Sequence, residues 1–113
     1  MKRWLNKIKK VAEMLDWSVD IDEQNGEAYI EFEKDSPAGE DFVFSAYGDD
    51  MEKMTANVED YASCFDEEEH VRELLNAKAN GFSGVPSARE LVDDADEIKK
   101  MLNELAGALR EAA

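Results

Sequence analysis

The chain has one cysteine, one histidine and two prolines in 113 residues. Cys64 alone closes no internal disulfide, and its neighbour Phe65 gives it the setting of a small hydrophobe in a reducing compartment. One Cys and one His cannot make a zinc pattern. No Gly-rich phosphate loop is present, and no apolar run approaches the roughly 18 residues that cross a bilayer. Met1 to Lys10 begins positively, as a signal peptide does, but Lys7, Lys9 and Lys10 break any apolar core segment and no small-residue cleavage site follows. Neither terminus carries a lipidation motif. The location expected from these features is cytoplasmic, with no membrane partner and no cofactor.

Cations are also scarce, and they are segregated. Residues 1–10 hold five cations and no acid, whereas residues 11–113 hold all 28 acids against eight cations, a body of net charge −20 behind a cap of +5. Apolar residues make up 43% and aromatics 9% of the chain, enough for a core despite the charge, so a single globular domain over 1–113 is expected rather than an acidic tail.

Hydrophobic spacing supplies the elements. Trp4, Leu5, Ile8, Val11, Ala12 and Leu15 share one third of a helical wheel, opposite Lys2, Arg3, Lys7, Lys9 and Lys10, which predicts an amphipathic first helix. Its basic arc suits an anionic membrane or an acidic partner, but the favoured reading docks its apolar face on the core while its charges offset neighbouring acids. Trp17, Val19 and Ile21 then alternate with polar residues up to Asn25-Gly26, the dipeptide of a type I′ hairpin turn. With that turn, paired residues sum to 51, so Ile21 faces Ile30 and Val19 faces Phe32. After the Asp35-Ser36-Pro37-Ala38-Gly39-Glu40 connection, Phe42, Phe44 and Ala46 point inward on a third strand and Val43, Ser45 and Tyr47 outward.

Met51, Met54, Val58, Tyr61 and Phe65 predict a second helix over about 50–65, with Asp49 and Asp50 as cap candidates. A third helix begins after Asp66, buries Val71, Leu74 and Leu75, and stops at Asn80-Gly81. A Gly81–Pro86 connection and a Ser87–Glu90 capping box lead into the last helix. Its stripe of Leu91, Ala95, Ile98, Leu102, Leu105 and Leu109 fits either the chain's own core or the seam of a homodimer. Fewer than four heptads favours the core. The expected fold is α+β: a helix, a three-stranded antiparallel meander, and three more helices covering the same face of the sheet.

Many of the acids have structural reasons. Asp49, Asp50, Glu52, Asp66, Glu67, Glu68, Glu69 and Glu90 lie at helix starts, where they offset the dipole, and Glu68–Arg72 and Asp96–Lys100 have ion-pair spacing. The sheet acids lack such a reason. Asp20 falls opposite Glu31 on the outward face, a destabilising like-charge pair, and Asp22, Glu27, Glu33 and Asp41 join them. Between Asp20 and Asp50 stand eleven acids and one cation, Lys34. Alternate strand positions are about 7 Å apart, on the order of the phosphate spacing along a nucleic-acid strand. Asp20, Asp22, Glu27, Glu31 and Glu33, with Tyr29 and Tyr47 as flat contact area, therefore form a candidate partner-binding face for a basic protein, including one that itself binds nucleic acid. Solubility and protection of the sheet edges account for acids of this kind equally well. The same field opposes direct binding of nucleic acid.

Catalytic and metal patterns are weak. His70 is expected on the surface of an acid-rich helix, with no nucleophile near it in sequence, and Cys64 lies mid-helix, away from the cationic setting that activates a thiol. Asp20 to Glu31 has acids at the first, third and twelfth positions of a calcium loop, but Asn25 stands where the loop needs Gly and Glu27 where it needs an apolar residue. No catalytic residue and no metal ligand is assigned, and a non-catalytic role is expected.

The order helix, three-stranded meander, helices on a small acidic chain resembles anti-CRISPR inhibitors that mimic DNA, over roughly residues 1–79. The resemblance implies an inhibitor that occupies a nucleic-acid-binding protein. Ser36-Pro37-Ala38-Gly39-Glu40-Asp41-Phe42, Phe65-Asp66-Glu67-Glu68-Glu69-His70-Val71 and Gly84-Val85-Pro86-Ser87 are similar to stretches of small acidic proteins of gut Gram-positive bacteria and their mobile elements. The helix followed by three strands and a helix also resembles the small acidic secretion chaperones, which implies, as the alternative, a dimeric protein-binding chaperone or adaptor.

Overall fold

The computed structural model describes residues 2–37, 39–79 and 88–113. Helix α1 (Arg3–Met14) leads into strands β1 (Ser18–Gln24), β2 (Glu27–Asp35) and β3 (Asp41–Gly48), then helices α2 (Met51–Cys64), α3 (Glu67–Ala79) and α4 (Ala88–Ala112). The α+β layout is the one expected from the sequence. Asn80-Gly81, the Gly81–Pro86 connection, the Ser87–Glu90 box and the Leu91 side chain lie outside the described residues.

Helix α1 buries Leu5, Ile8 and Ala12, the centre of its apolar arc. It ends where Asp16 enters the left-handed region at φ 67°. There the Trp17 N–H reaches back to the Ala12 carbonyl at 2.9 Å, satisfying a helix-end acceptor while swinging the chain into β1. Asp tolerates this conformation better than most side chains. The turn places Trp17 in the core, edge-on to Phe44 at 5.6 Å and to Phe32 and Phe42 at 6.4 Å.

Asn25 and Gly26 adopt φ of 54° and 80°, the two positive values that a type I′ turn requires. The register follows: Val19 pairs with Phe32, Asp20 with Glu31 and Ile21 with Ile30. β3 adds antiparallel to β2, with Phe32 beside Phe44, giving the sheet order β1-β2-β3. Ala28, Ile30, Phe32, Phe42, Phe44 and Ala46 are buried on one face. Gly48 closes β3 against α2, where an added Cβ would lie 2.7 Å from the Met54 backbone nitrogen, so the close approach of strand and helix requires glycine.

Helix α2 is capped by Asp50, whose Oδ1 accepts from Lys53 N at 2.7 Å, while Asp49 pairs with Lys53 Nζ at 2.9 Å. Asp50→Ala is expected to cost about 1 kcal/mol, read as a melting temperature lowered by a few degrees; an unchanged melting temperature would remove the cap from the account.

Helices α1 and α2 lie nearest the sheet, and α4 crosses α1, α2 and α3. The stripe Ala95, Ile98, Leu102, Leu105 and Leu109 is at most 1% exposed, taken up by the chain's own core. Arg110 fastens α4 to α2 by pairing with both Glu52 and Glu59, which holds the Glu59 carboxyl below its ordinary range. Val71, Leu74 and Leu75 are half-buried rather than buried, because α3 packs chiefly on α4 and not on the sheet. Lys100 pairs with Glu97 at 3.1 Å instead of Asp96, and no Glu68–Arg72 pair within 4.0 Å is present among the described residues.

Candidate protein-binding face

Strand alternation sends one set of side chains into the core and the other to the opposite side of the sheet. All helices lie on the core side, so the second face is open. The register brings the acids together in rows: Glu33 beside Ser18 and Val43, Glu31 between Asp20 and Ser45, Tyr29 between Asp22 and Tyr47, Glu27 beside Gln24, and Asp35 beside Asp41. Every residue assigned to the candidate face from sequence thus stands on one surface. Glu27 is half-buried at the hairpin end, and the others are exposed.

Lys34, the one cation between Asp20 and Asp50, is on the other side. Its ammonium donates to the Leu15 carbonyl at 2.8 Å and sits 5.9 Å from the Trp17 ring centre. Among the described residues no strand side chain on the open face is a cation, and Lys53 of α2 meets the face only at its hairpin edge, beside Glu27. Tyr29 and Tyr47 stack across it with ring centres 6.0 Å apart and remain 45% and 53% exposed. Beside them, Val43 is 41% exposed. Flat, partly apolar area of this kind is enriched where proteins meet.

Like charge crowds Glu33. Its carboxyl is pushed above the ordinary range chiefly by a hydrogen bond and repulsion from Asp41, its diagonal neighbour, with Asp35 and Glu31 adding to the effect. A carboxyl so raised favours the folded state more as pH falls from its folded pKa toward the unfolded value. The repulsion between Glu33 and its acidic neighbours thus opposes folding at neutral pH. At the hairpin end the face meets a cleft of about 660 Å³ whose lining includes Glu27, Tyr47, Asp49, Lys53, Asn57 and Asp60, where Asn57 Oδ1 accepts from Tyr47 N at 3.1 Å.

No family model, curated protein or solved structure matches this chain. The functional reading therefore rests on the residues and their arrangement.

A second polar group was not legible in the sequence. Ser36, on the β2–β3 connection, and Asp94, on α4, are both 4% exposed. Ser36 Oγ donates to Asp94 Oδ2 at 2.6 Å and accepts from Glu40 N at 3.0 Å. The Glu40 carboxyl meets Asp94 on one side and His70 on the other. His70 Nε2 stands 2.8 Å from Glu40 Oε1, an ion pair when the ring is protonated. Burial raises the Glu40 pKa, His70 opposes the rise, and Asp94 adds to it.

His70 is therefore a half-buried junction residue, packed 5.4 Å from the Phe65 ring and 6.0 Å from that of Phe42, rather than the surface residue expected. The three contributing segments are 30 and 24 residues apart in the chain (Glu40, His70, Asp94), which hid the cluster. Ser36 donates to the Asp94 carboxylate and not to His70, so the group is not a serine–histidine pair. His70 lines a cleft of about 210 Å³ with Tyr61 and Phe65, but Glu40 and Asp94 do not. The arrangement ties the β2–β3 connection to α3 and α4.

Cys64, expected as a small hydrophobe, is exposed at the last position of α2. Among the described residues no group of three acidic, histidine or cysteine side chains is placed to hold a metal ion, and no helix is long and apolar enough to cross a membrane.

Proposed function

We propose that this chain is a non-catalytic binding protein whose open sheet face engages a basic surface of a partner protein, acting as a DNA mimic on a nucleic-acid-binding protein. The observation that carries the reading is the acidic face itself, with no cation among its strand side chains. The fold removes Lys34 to the far side and tolerates Asp20 opposite Glu31, an arrangement that opposes folding and that a merely soluble surface of mixed charge avoids. Asp20, Asp22, Glu27, Glu31 and Glu33 supply phosphate-like charge, and Tyr29 with Tyr47 supplies contact area. Strand pairing sets the backbone positions of these acids before a partner arrives, which lowers the ordering cost of binding. Electrostatic complementarity of this kind gives fast, salt-sensitive association.

The test is affinity capture from source-cell lysate with elution by a salt gradient. The expected result is one nucleic-acid-binding protein that leaves the column as salt rises, and nucleic acid carrying its recognition site displaces it. Capture of salt-resistant clients only, or of nothing that nucleic acid displaces, would overturn the mimicry reading.

A further inference from the structure

We propose that the outer stripe of α1 is a second docking surface, of opposite charge, that takes an acidic segment bearing apolar side chains from a partner protein. This goes beyond the role given to the sheet face and involves different residues. Arg3, Lys7, Lys10 and Met14 recur at helical spacing and form one line along the solvent side of α1, a helix of 12 residues and so about 18 Å long. Met14, at the end of the line, is 79% exposed. Beside the line runs a groove of about 740 Å³ whose lining includes Arg3, Trp4, Lys7, Lys10 and Met51. Trp4 and Met51 are half-buried against the core, so the groove has an apolar floor and a basic rim.

Two observations separate this stripe from an ordinary solvated helix face. The chain has 28 acids to 13 cations, and Lys53, Lys99, Lys100 and Arg110 have each found a carboxylate. Arg3, Lys7 and Lys10 have none within 4.0 Å among the described residues. The one ion pair from α1 among those residues is Lys9–Glu13, at 4.0 Å, so the offsetting of this helix's charge expected from sequence is largely missing. The charge also runs against the helix dipole: α1 has no acid in its first turn and no base in its last, the reverse of the stabilising arrangement.

Charge complementarity selects an anionic occupant, and the shape selects among anionic occupants. Trp4 is half-buried among the groove-lining residues, so an apolar side chain entering the groove meets it, as a docked peptide segment does. The body's own acids do not cancel the attraction. The strand acids of the open face point away from the helices that cover the other side of the sheet, and their field is screened over about 8 Å at physiological salt. Among nearer acids, Glu52 and Glu59 are held by Arg110 and Asp49 by Lys53. Recognition of an amphipathic segment by an apolar groove with a charged rim is a recurrent mode.

The test titrates the full chain into a fluorescently labelled peptide of about 12 residues, with Asp and Glu along one side and leucines along the other, followed by anisotropy. Saturable binding is expected, weakened by added salt, reduced about tenfold or more by Lys7→Glu with Lys10→Glu, and reduced by Met14→Ser. These positions are exposed and leave Leu5, Ile8 and Ala12 in place, and circular dichroism checks the fold of each variant. No saturation up to about 1 mM, a range below useful recognition, would overturn the proposal. So would binding unchanged in both variants, sedimentation with phosphatidylserine vesicles in place of peptide binding, or self-association of the chain that the Lys7/Lys10 reversal abolishes.

Discussion

Asp20→Lys combined with Glu33→Lys is expected to melt higher than the native chain and to lose its partner. The two effects have one cause. Lys at position 20 stands directly opposite Glu31, and Lys at position 33 stands diagonal to Asp41, so each change turns a repulsive neighbour into an attractive one. Like charges across a strand pair are destabilising and opposite charges stabilising, so both conversions raise stability, read as a higher melting temperature. Relief is greatest at neutral pH, where the acids are ionised, and fades in acid as Glu33, with its raised pKa, would already have taken a proton in the native chain. Binding moves the other way. Two cations placed in this acidic face put like charge against a basic partner, for an expected loss of about 100-fold, equivalent to about 2.7 kcal/mol. Thermal melts at neutral and acidic pH, run beside the salt-gradient capture, check both halves. A variant that melts higher and still binds would assign the face to solubility; a variant that unfolds would mean that the acids serve the fold.

Why the face was legible in sequence and the Ser36–Asp94 junction was not has a physical basis. A two-residue turn fixes register locally: once Asn25 and Gly26 take positive φ, every pair from Gln24–Glu27 to Ser18–Glu33 is determined, and alternation sorts inward from outward. Helix faces are likewise local, so the buried arcs of α1 and α4 could be read from spacing alone. The Ser36, Glu40, His70 and Asp94 group depends on where α3 and α4 settle against the β2–β3 connection, and no periodicity encodes such a meeting. The same limit explains the half-burial of Val71, Leu74 and Leu75, which depends on α3 resting on α4 and away from the sheet. It also explains the missing partners of Arg3, Lys7 and Lys10: abundance of acids in the sequence predicts offset, and only the packing reveals that they are elsewhere.

At that junction, two substitutions of one residue are expected to move stability in opposite directions. In Asp94→Asn, the amide oxygen still accepts from Ser36 Oγ, and the carboxyl–carboxyl hydrogen bond and repulsion that raise Glu40 give way to a hydrogen bond donated by the amide nitrogen toward Glu40. The gain is about 1 kcal/mol. In Asp94→Ala, the buried Ser36 hydroxyl loses its acceptor and a small void opens, a loss of about 1–3 kcal/mol. The pH dependence fixes the cause. The Glu40 pKa is raised above the ordinary 4.5 by burial and by Asp94, with His70 opposing, so the folded chain holds that proton more tightly than the unfolded one. The associated penalty is absent below about pH 4.5 and reaches its full value once pH has risen past the folded pKa. Asp94→Asn removes the contribution of Asp94, so its advantage over the native chain grows across that interval, whereas the Asp94→Ala deficit remains at acidic pH because an unpartnered Ser36 does not titrate there. Chemical denaturation of the three proteins from acidic to neutral pH separates these cases. Equal losses from Asn and Ala at every pH would show that an ionised Asp94 is itself required, and would replace carboxyl repulsion with a charge-assisted bond as the force that holds α4 to the β2–β3 connection.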